Sequence, residues 1–160
     1  MRVGQGFDAH RLVPDRPLRL GGIAVPHDRG LAGHSDGDVL LHAIASALLG
    51  ALGQGDLGSH FPSSDPALAD IASSRLLAEV MERVGAAGLS VGNLDATVIA
   101  QAPRLGPHRE AMETEIARVL GVSVDRVNVK ITSTDGLGDL GREEGIAAQA
   151  VVLLEGPGEG

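Results

Sequence analysis

Cysteine is absent from the 160 residues, which excludes disulfides, thiolate zinc sites and a Cys nucleophile. Any transition metal must then be held by His and carboxylate. Trp and Tyr are also absent, leaving Phe7 and Phe61 as the whole Phe/Tyr/Trp complement. The core is therefore expected to be aliphatic, and assembly with other copies is one way to bury more surface. Lysine occurs once, as Lys130, and 13 basic residues face 21 acidic ones, for a net charge of −8. With no basic stripe, a nucleic-acid partner is not expected. A small anion can still bind locally, through backbone N–H groups, metal ions and a few arginines. No apolar run is long enough to span a bilayer and no N-terminal signal pattern appears, so no membrane partner is expected and the cytoplasm is the expected location.

What is present fits one globular domain. The length suffices for a real core, and 43% hydrophobic with 21% charged residues is an ordinary balance. Residues 1–160 are read as a single domain, with the Gly/Pro-rich stretch 155–160 as a frayed tail. Residues 2–8 read as a strand, and 18–25 as a second one broken by Gly21-Gly22. Ser35-Asp36-Gly37-Asp38 looks like a helix start. Val39, Leu40, Ala43, Ile44, Ala47, Leu48 and Leu49 follow at helical spacing, and Gly53 and Gly55 end the run. A polar loop covers 54–69, a second helix 70–85, a strand 90–101 and a third helix 107–120. Val127 to Thr132 alternates as a half-buried strand. A Gly-rich loop over 135–145 leads to a last strand, 146–154. Strands alternating with helices predict an α/β or α+β class, with one mixed sheet of four or five strands and helices on one face.

Asp8 and His10 are two apart, so on a strand they point to the same side. His42 lies one helical turn after Asp38 and is expected to face the same way. A strand-borne Asp-x-His and a helix-borne His supply three N/O ligands and leave a coordination position open, as in catalytic zinc sites. The spacing makes this trio a candidate only, because a single His is more often packed or exposed than a ligand. His34 and Ser35 precede the helix, where free N–H groups suit an anion; taken alone, a simple N-cap explains them better. Thr132-Ser133-Thr134-Asp135 offers hydroxyls to phosphate and a carboxylate to a hard cation, and also reads as a Ser/Thr turn. Ala100-Gln101-Ala102-Pro103-Arg104 reads first as a plain strand exit, though its small residues could also let a flat base approach.

Several of these stretches together resemble one family. They are Gly6-Phe7-Asp8-Ala9-His10, Gly33-His34-Ser35-Asp36-Gly37-Asp38-Val39 with Leu41-His42-Ala43, Gly55-Asp56-Leu57-Gly58 with Phe61-Pro62, Ile99 to Pro103, and Gly141-Arg142 with Glu144-Gly145-Ile146. The family is the 2-C-methyl-D-erythritol 2,4-cyclodiphosphate synthases of the non-mevalonate isoprenoid route, and the match runs nearly end to end. The resemblance implies a ferredoxin-like arrangement in a homotrimer with active sites between subunits. It implies conversion of 4-diphosphocytidyl-2-C-methyl-D-erythritol 2-phosphate, whose 2-phosphate attacks the β-phosphorus and expels CMP. It places one zinc per subunit on Asp8, His10 and His42, and Mg²⁺ or Mn²⁺ on Asp135 with the substrate diphosphate. Asp8, His10, His34 and Ser35 match phosphate-end contacts; Asp56, Gly58 and Phe61 match the erythritol pocket. Ala100, Pro103, Arg104, Thr132 and Ser133 match the cytidine and phosphate pocket of a neighbouring subunit. His34, Ser133 and Asp135 carry the catalytic roles.

Arg142 matches a residue facing a central cavity that takes an isoprenoid diphosphate, with Asp139 where an aromatic is common. The chain also carries Asp135 where Glu is frequent, Arg104 for the usual Lys, and Ser63 for an acidic residue. The alternatives are a zinc-dependent phosphohydrolase and a non-catalytic trimer that binds a nucleotide or isoprenoid.

Overall fold

The computed structural model describes residues 1–158; positions 159 and 160, the end of the expected tail, lie outside the described residues. Strand β1 (Arg2–Pro14) is longer than the sequence pattern suggests, and a two-stranded hairpin follows, β2 (Leu18–Leu20) and β3 (Ile23–Val25). Gly21 and Gly22 take φ of 62° and 81°, which makes the two-residue turn that joins strands of natural twist. A further short strand, β4 (Arg29–Leu31), follows, because Leu12, Val13 and Pro14 of β1 extend far enough to pair with it.

Helix α1 (Val39–Leu52) starts where the capping signal predicts. Asp38 accepts the Leu41 N–H, and Gly53 ends the helix at φ 72°. A one-turn helix α2 (Leu57–His60) interrupts the expected loop. Helix α3 (Ser73–Ala86) begins three residues after the expected start, and β5 (Ser90–Ile99), α4 (Arg109–Leu120) and β6 (Val127–Thr132) follow as read. The Gly-rich loop carries a second short helix, α5 (Gly138–Gly141), before β7 (Gly145–Glu155).

The main sheet has the order β4-β1-β7-β5-β6. The first and last strands are central neighbours, antiparallel from Arg2–Leu154 to Arg11–Gly145. β5 and β6 are parallel. The class is thus α+β with a mixed five-stranded sheet, as the sequence suggests.

Helices cover one face. α1 packs on β1 and β7, α4 on β6, and α3 lies against both helices. Eleven of the fourteen residues of α1 are buried, so it is a core helix rather than an amphipathic surface one. Gly4 and Gly6 on β1 allow this. A Cβ on Gly4 would fall 1.9 Å from the Ala47 carbonyl oxygen, so helix and strand backbones touch directly. The opposite sheet face is open. Val3 is 68% exposed and Phe7 59%, and Val151 is exposed beside them.

Candidate functional site

β1 and α1 meet at the site. Asp8 Oδ2 lies 2.8 Å from His10 Nε2 and 3.0 Å from His42 Nδ1, and the two imidazole nitrogens are 3.1 Å apart. Strand alternation places Asp8 and His10 side by side, and the glycine contact with α1 brings the helix close enough for His42 to reach them. Among the described residues these three are the group able to hold a metal ion. Donors around a tetrahedral ion with bonds near 2 Å sit roughly 3.3 Å apart, so the trio needs to open only by tenths of an ångström. The donor set, one carboxylate oxygen and two ring nitrogens, suits zinc chemically.

Electrostatics agree. Burial alone would push the Asp8 carboxyl up, but hydrogen bonding and charge from His10 and His42 hold it well below the usual carboxylate range. Hydrogen bonding to Asp8 raises His10 above the ordinary imidazole value, against the opposing effect of burial. Both residues are half-buried, whereas His42 is 8% exposed.

Asp38 does not share this face, contrary to the expectation from helical spacing. Its fully buried carboxylate turns back to accept the N–H groups of Gly21 at 3.0 Å, Gly22 at 2.7 Å and Leu41 at 3.1 Å. Burial pushes its carboxyl up, and the three N–H donors oppose that. Asp38 therefore ties the β2–β3 turn to the start of α1 and sets the helix that carries His42.

A cleft of about 160 Å³ opens beside the trio, lined by His10, His34, Ser35, His42 and Phe61. Leu57, Leu68, Ile71 and Leu76 form its apolar wall, and Ser63 also lines it. The 65–71 segment is strapped over this cleft by three bonds. His34 Nε2 contacts the Asp65 carbonyl oxygen at 2.8 Å, Asp70 N–H donates to the His34 carbonyl at 2.8 Å, and Asp36 N–H donates to the Ile71 carbonyl at 3.0 Å. Asp56 caps α2, accepting the Ser59 N–H at 2.8 Å, and Gly58 sits in that turn.

The other candidates gather elsewhere. Ala9, Ala147, Ile99 and Thr132 are successive partners across β1, β7, β5 and β6, so Thr132 stands three strand spacings, roughly 14 Å, from the β1 row. Ser133, Asp135, Ala100, Pro103 and Arg104 follow the ends of β5 and β6. Asp135 takes φ 52°, a conformation that a short polar side chain tolerates, and its carboxylate accepts the Ser133 hydroxyl at 3.0 Å. Gly136 N–H donates to Gln101 Oε1 at 3.2 Å, joining the two loops. Arg142 pairs with Glu144 at 2.9 Å and with Asp139, on the exposed surface. One chain thus assembles the Asp8/His10/His42 half and leaves the Ser133/Asp135 half apart.

Two residues at the site escape sequence reasoning, Asp36 and Ser73. Ser73 Oγ lies 2.9 Å from His42 Nε2, and it hydrogen-bonds to Asp36. Their 37-residue separation leaves no local signal to pair them.

Residues 1–155 match the model of the YgbB family. The 2-C-methyl-D-erythritol 2,4-cyclodiphosphate synthase of Trichlorobacter lovleyi is 57% identical over 154 residues, 96% of this chain and 98% of that protein. Among solved structures, the bifunctional IspDF of Campylobacter jejuni superposes with a TM-score of 0.92 at 40% identity; the match covers 96% of this chain and 42% of that longer one. A 2-C-methyl-D-erythritol 2,4-cyclodiphosphate synthase solved with CDP bound superposes at 0.89 with 38% identity, over 96% of this chain and 100% of that one.

Proposed function

The chain belongs to the YgbB family, and from this membership we infer that it is a phosphorus–oxygen lyase forming 2-C-methyl-D-erythritol 2,4-cyclodiphosphate. Its substrate is 4-diphosphocytidyl-2-C-methyl-D-erythritol 2-phosphate, in the non-mevalonate isoprenoid route. An oxygen of the 2-phosphate bonds to the β-phosphorus. The bond from that phosphorus to the bridging oxygen breaks, and CMP leaves with the electron pair. A phosphate is already a nucleophile near neutral pH, so positioning and charge neutralisation are the main tasks. The convergence of Asp8, His10 and His42 beside a half-apolar cleft carries this reading.

Asp8, His10 and His42 would hold one zinc per subunit, and Asp135 a Mg²⁺ or Mn²⁺ with the diphosphate. Bound there, the ions supply Lewis-acid charge neutralisation to the phosphates. His34 and Ser35 orient the phosphate end and Ser133 supports the charge that develops in the transition state. Asp56, Gly58 and Phe61 shape the erythritol pocket. Ala100, Pro103, Arg104 and Thr132 receive the cytidine end.

The open sheet face supports a homotrimer. Its exposed Val3, Phe7 and Val151 need a partner surface, and a neighbouring copy can bring the Ser133/Asp135 half to the metal half. The cytoplasm is the proposed location; no helix of the described residues is long and apolar enough to cross a membrane. Residues 1–160 would form a single domain, whose sites are completed between subunits.

Purified protein supplied with substrate, zinc and Mg²⁺ should release CMP, and phosphorus NMR should show the cyclic diphosphate. Linear phosphate products would instead indicate a phosphohydrolase. Nucleotide binding without turnover would indicate a binding protein.

A further inference from the structure

His42 faces Asp8 and His10 through Nδ1. Its other ring nitrogen, Nε2, lies 2.9 Å from Ser73 Oγ and 3.0 Å from Ser35 Oγ. Ser73 is 1% exposed and opens α3. Its hydroxyl donates to Asp36 Oδ1, and its backbone N–H donates to Asp36 Oδ2 at 3.1 Å. Ala72, at the N-cap of α3, has no side chain able to cap, so Asp36 caps that helix from across the fold. Asp38 N–H donates to the same carboxylate at 3.1 Å.

The direction of this chain of bonds follows from its end. An ionised carboxylate has no proton to give, so the Ser73 hydrogen is committed to Asp36. Toward His42 the Ser73 oxygen can then only accept. His42 Nε2 then carries a ring hydrogen, and with a metal in place of the Nδ1–Asp8 hydrogen bond the Nδ1 lone pair is left for the ion. Ser35 plays a different part. It accepts the Gly37 N–H at 3.3 Å and fronts the cleft, so its own hydrogen can turn toward an anionic ligand.

We propose that Asp36 and Ser73 are positioning residues of the metal site, fixing the tautomer and ring orientation of His42 through an Asp36–Ser73–His42 relay. The proposal rests on the zinc reading of the Asp8/His10/His42 trio. It makes the first turn of α3 part of the metal site although no α3 residue is among the three candidate ligands. Partners of this kind commonly set metal affinity without ligating the metal.

The test is zinc competition against a chromophoric chelator, using the purified full chain. Ser73→Ala should bind zinc about 10- to 100-fold more weakly than wild type, and Asp36→Asn should weaken it in the same direction. Ser74→Ala, on the same helical turn but outside the relay, should match wild type. The His42 Nε2–H proton resonance of the zinc-loaded protein should move in Ser73→Ala and Asp36→Asn and stay in Ser74→Ala. A merely structural role for Ser73 would change melting of the metal-free chain without moving that resonance. Should Ser73→Ala fail to fold, the near-isosteric Asp36→Asn decides. Variants that hold zinc like wild type, with the resonance in place, overturn the relay alone. A wild-type chain that takes up no zinc overturns the metal reading and the relay with it.

Discussion

Gly6 lies so close to Ala43 that a Cβ placed on it would fall 2.0 Å from the Ala43 carbonyl oxygen. The atom in the way is backbone, so no rotamer change relieves the clash. Gly6→Ala should push α1 off β1, costing about 3 kcal/mol or more in urea denaturation. Because Asp8 and His42 lie on the two elements being separated, zinc affinity should fall in parallel. A Gly6→Ala chain with wild-type stability and zinc affinity would show that the close approach does not set the site.

Asp38 makes a different demand. Three N–H donors converge on its buried carboxylate. Asp38→Asn keeps the size but turns an NH₂ group toward one of those donors. The expected loss is about 1–3 kcal/mol, read by thermal or urea melting. An unchanged midpoint would mean that the cage rearranges without cost.

The active site is proposed to need two chains, and mixing tests this. His42→Ala and Asp135→Asn should each be inactive alone. Unfolded and refolded together in equal amounts, they should regain activity in about a quarter of sites, since an intact site draws His42 from one chain and Asp135 from another. No regain on mixing would place both halves within a single chain.

Asp95 provides a pH signature away from the metal. Lys130 and then Asn128, whose Nδ2 is 2.7 Å away, hold its carboxyl below the ordinary value of 3.8, against a small opposing effect of burial. A depressed folded pKa stabilises the fold above the unfolded value, and that contribution is lost as pH falls through the folded one. Asp95→Asn should therefore lower the melting temperature at neutral pH, with the gap to wild type closing as pH falls past the carboxylate range. The group is largely solvated, so the loss should stay below about 1 kcal/mol. A gap that widens in acid would contradict the pairing.

Local signals made much of this legible. Asp38 and Gly53 bracket α1 at the positions that capping rules predict, and the Val127–Thr132 alternation is a strand in the structure. Where the reading slips, the deciding contact is remote. Helix α3 starts at Ser73 rather than at Asp70 because its cap is Asp36, and Asp70 instead takes φ 55° while its N–H bonds the His34 carbonyl. β4 exists because a distant stretch of β1 pairs with it, with no strand pattern of its own to show it. The same limit applies to the site. Spacing suggested Asp8, His10 and His42, but the direction in which Asp38 turns depends on the β2–β3 turn packed against it.

The pairing of β1 with β7 has a kinetic consequence. Asp8 pairs with Ala148, and His10 with Ile146, so both candidate ligands sit on a strand whose central neighbour comes after every other strand of the sheet in sequence order. Until that strand emerges from the ribosome, β1 has a bare edge where the middle of the sheet will be. Such late, long-range closure slows folding and prolongs the aggregation-prone interval. The ion would then be captured at the end of folding rather than serve as its nucleus. Metal supply during synthesis should accordingly change how long the finished protein lasts more than how quickly it forms.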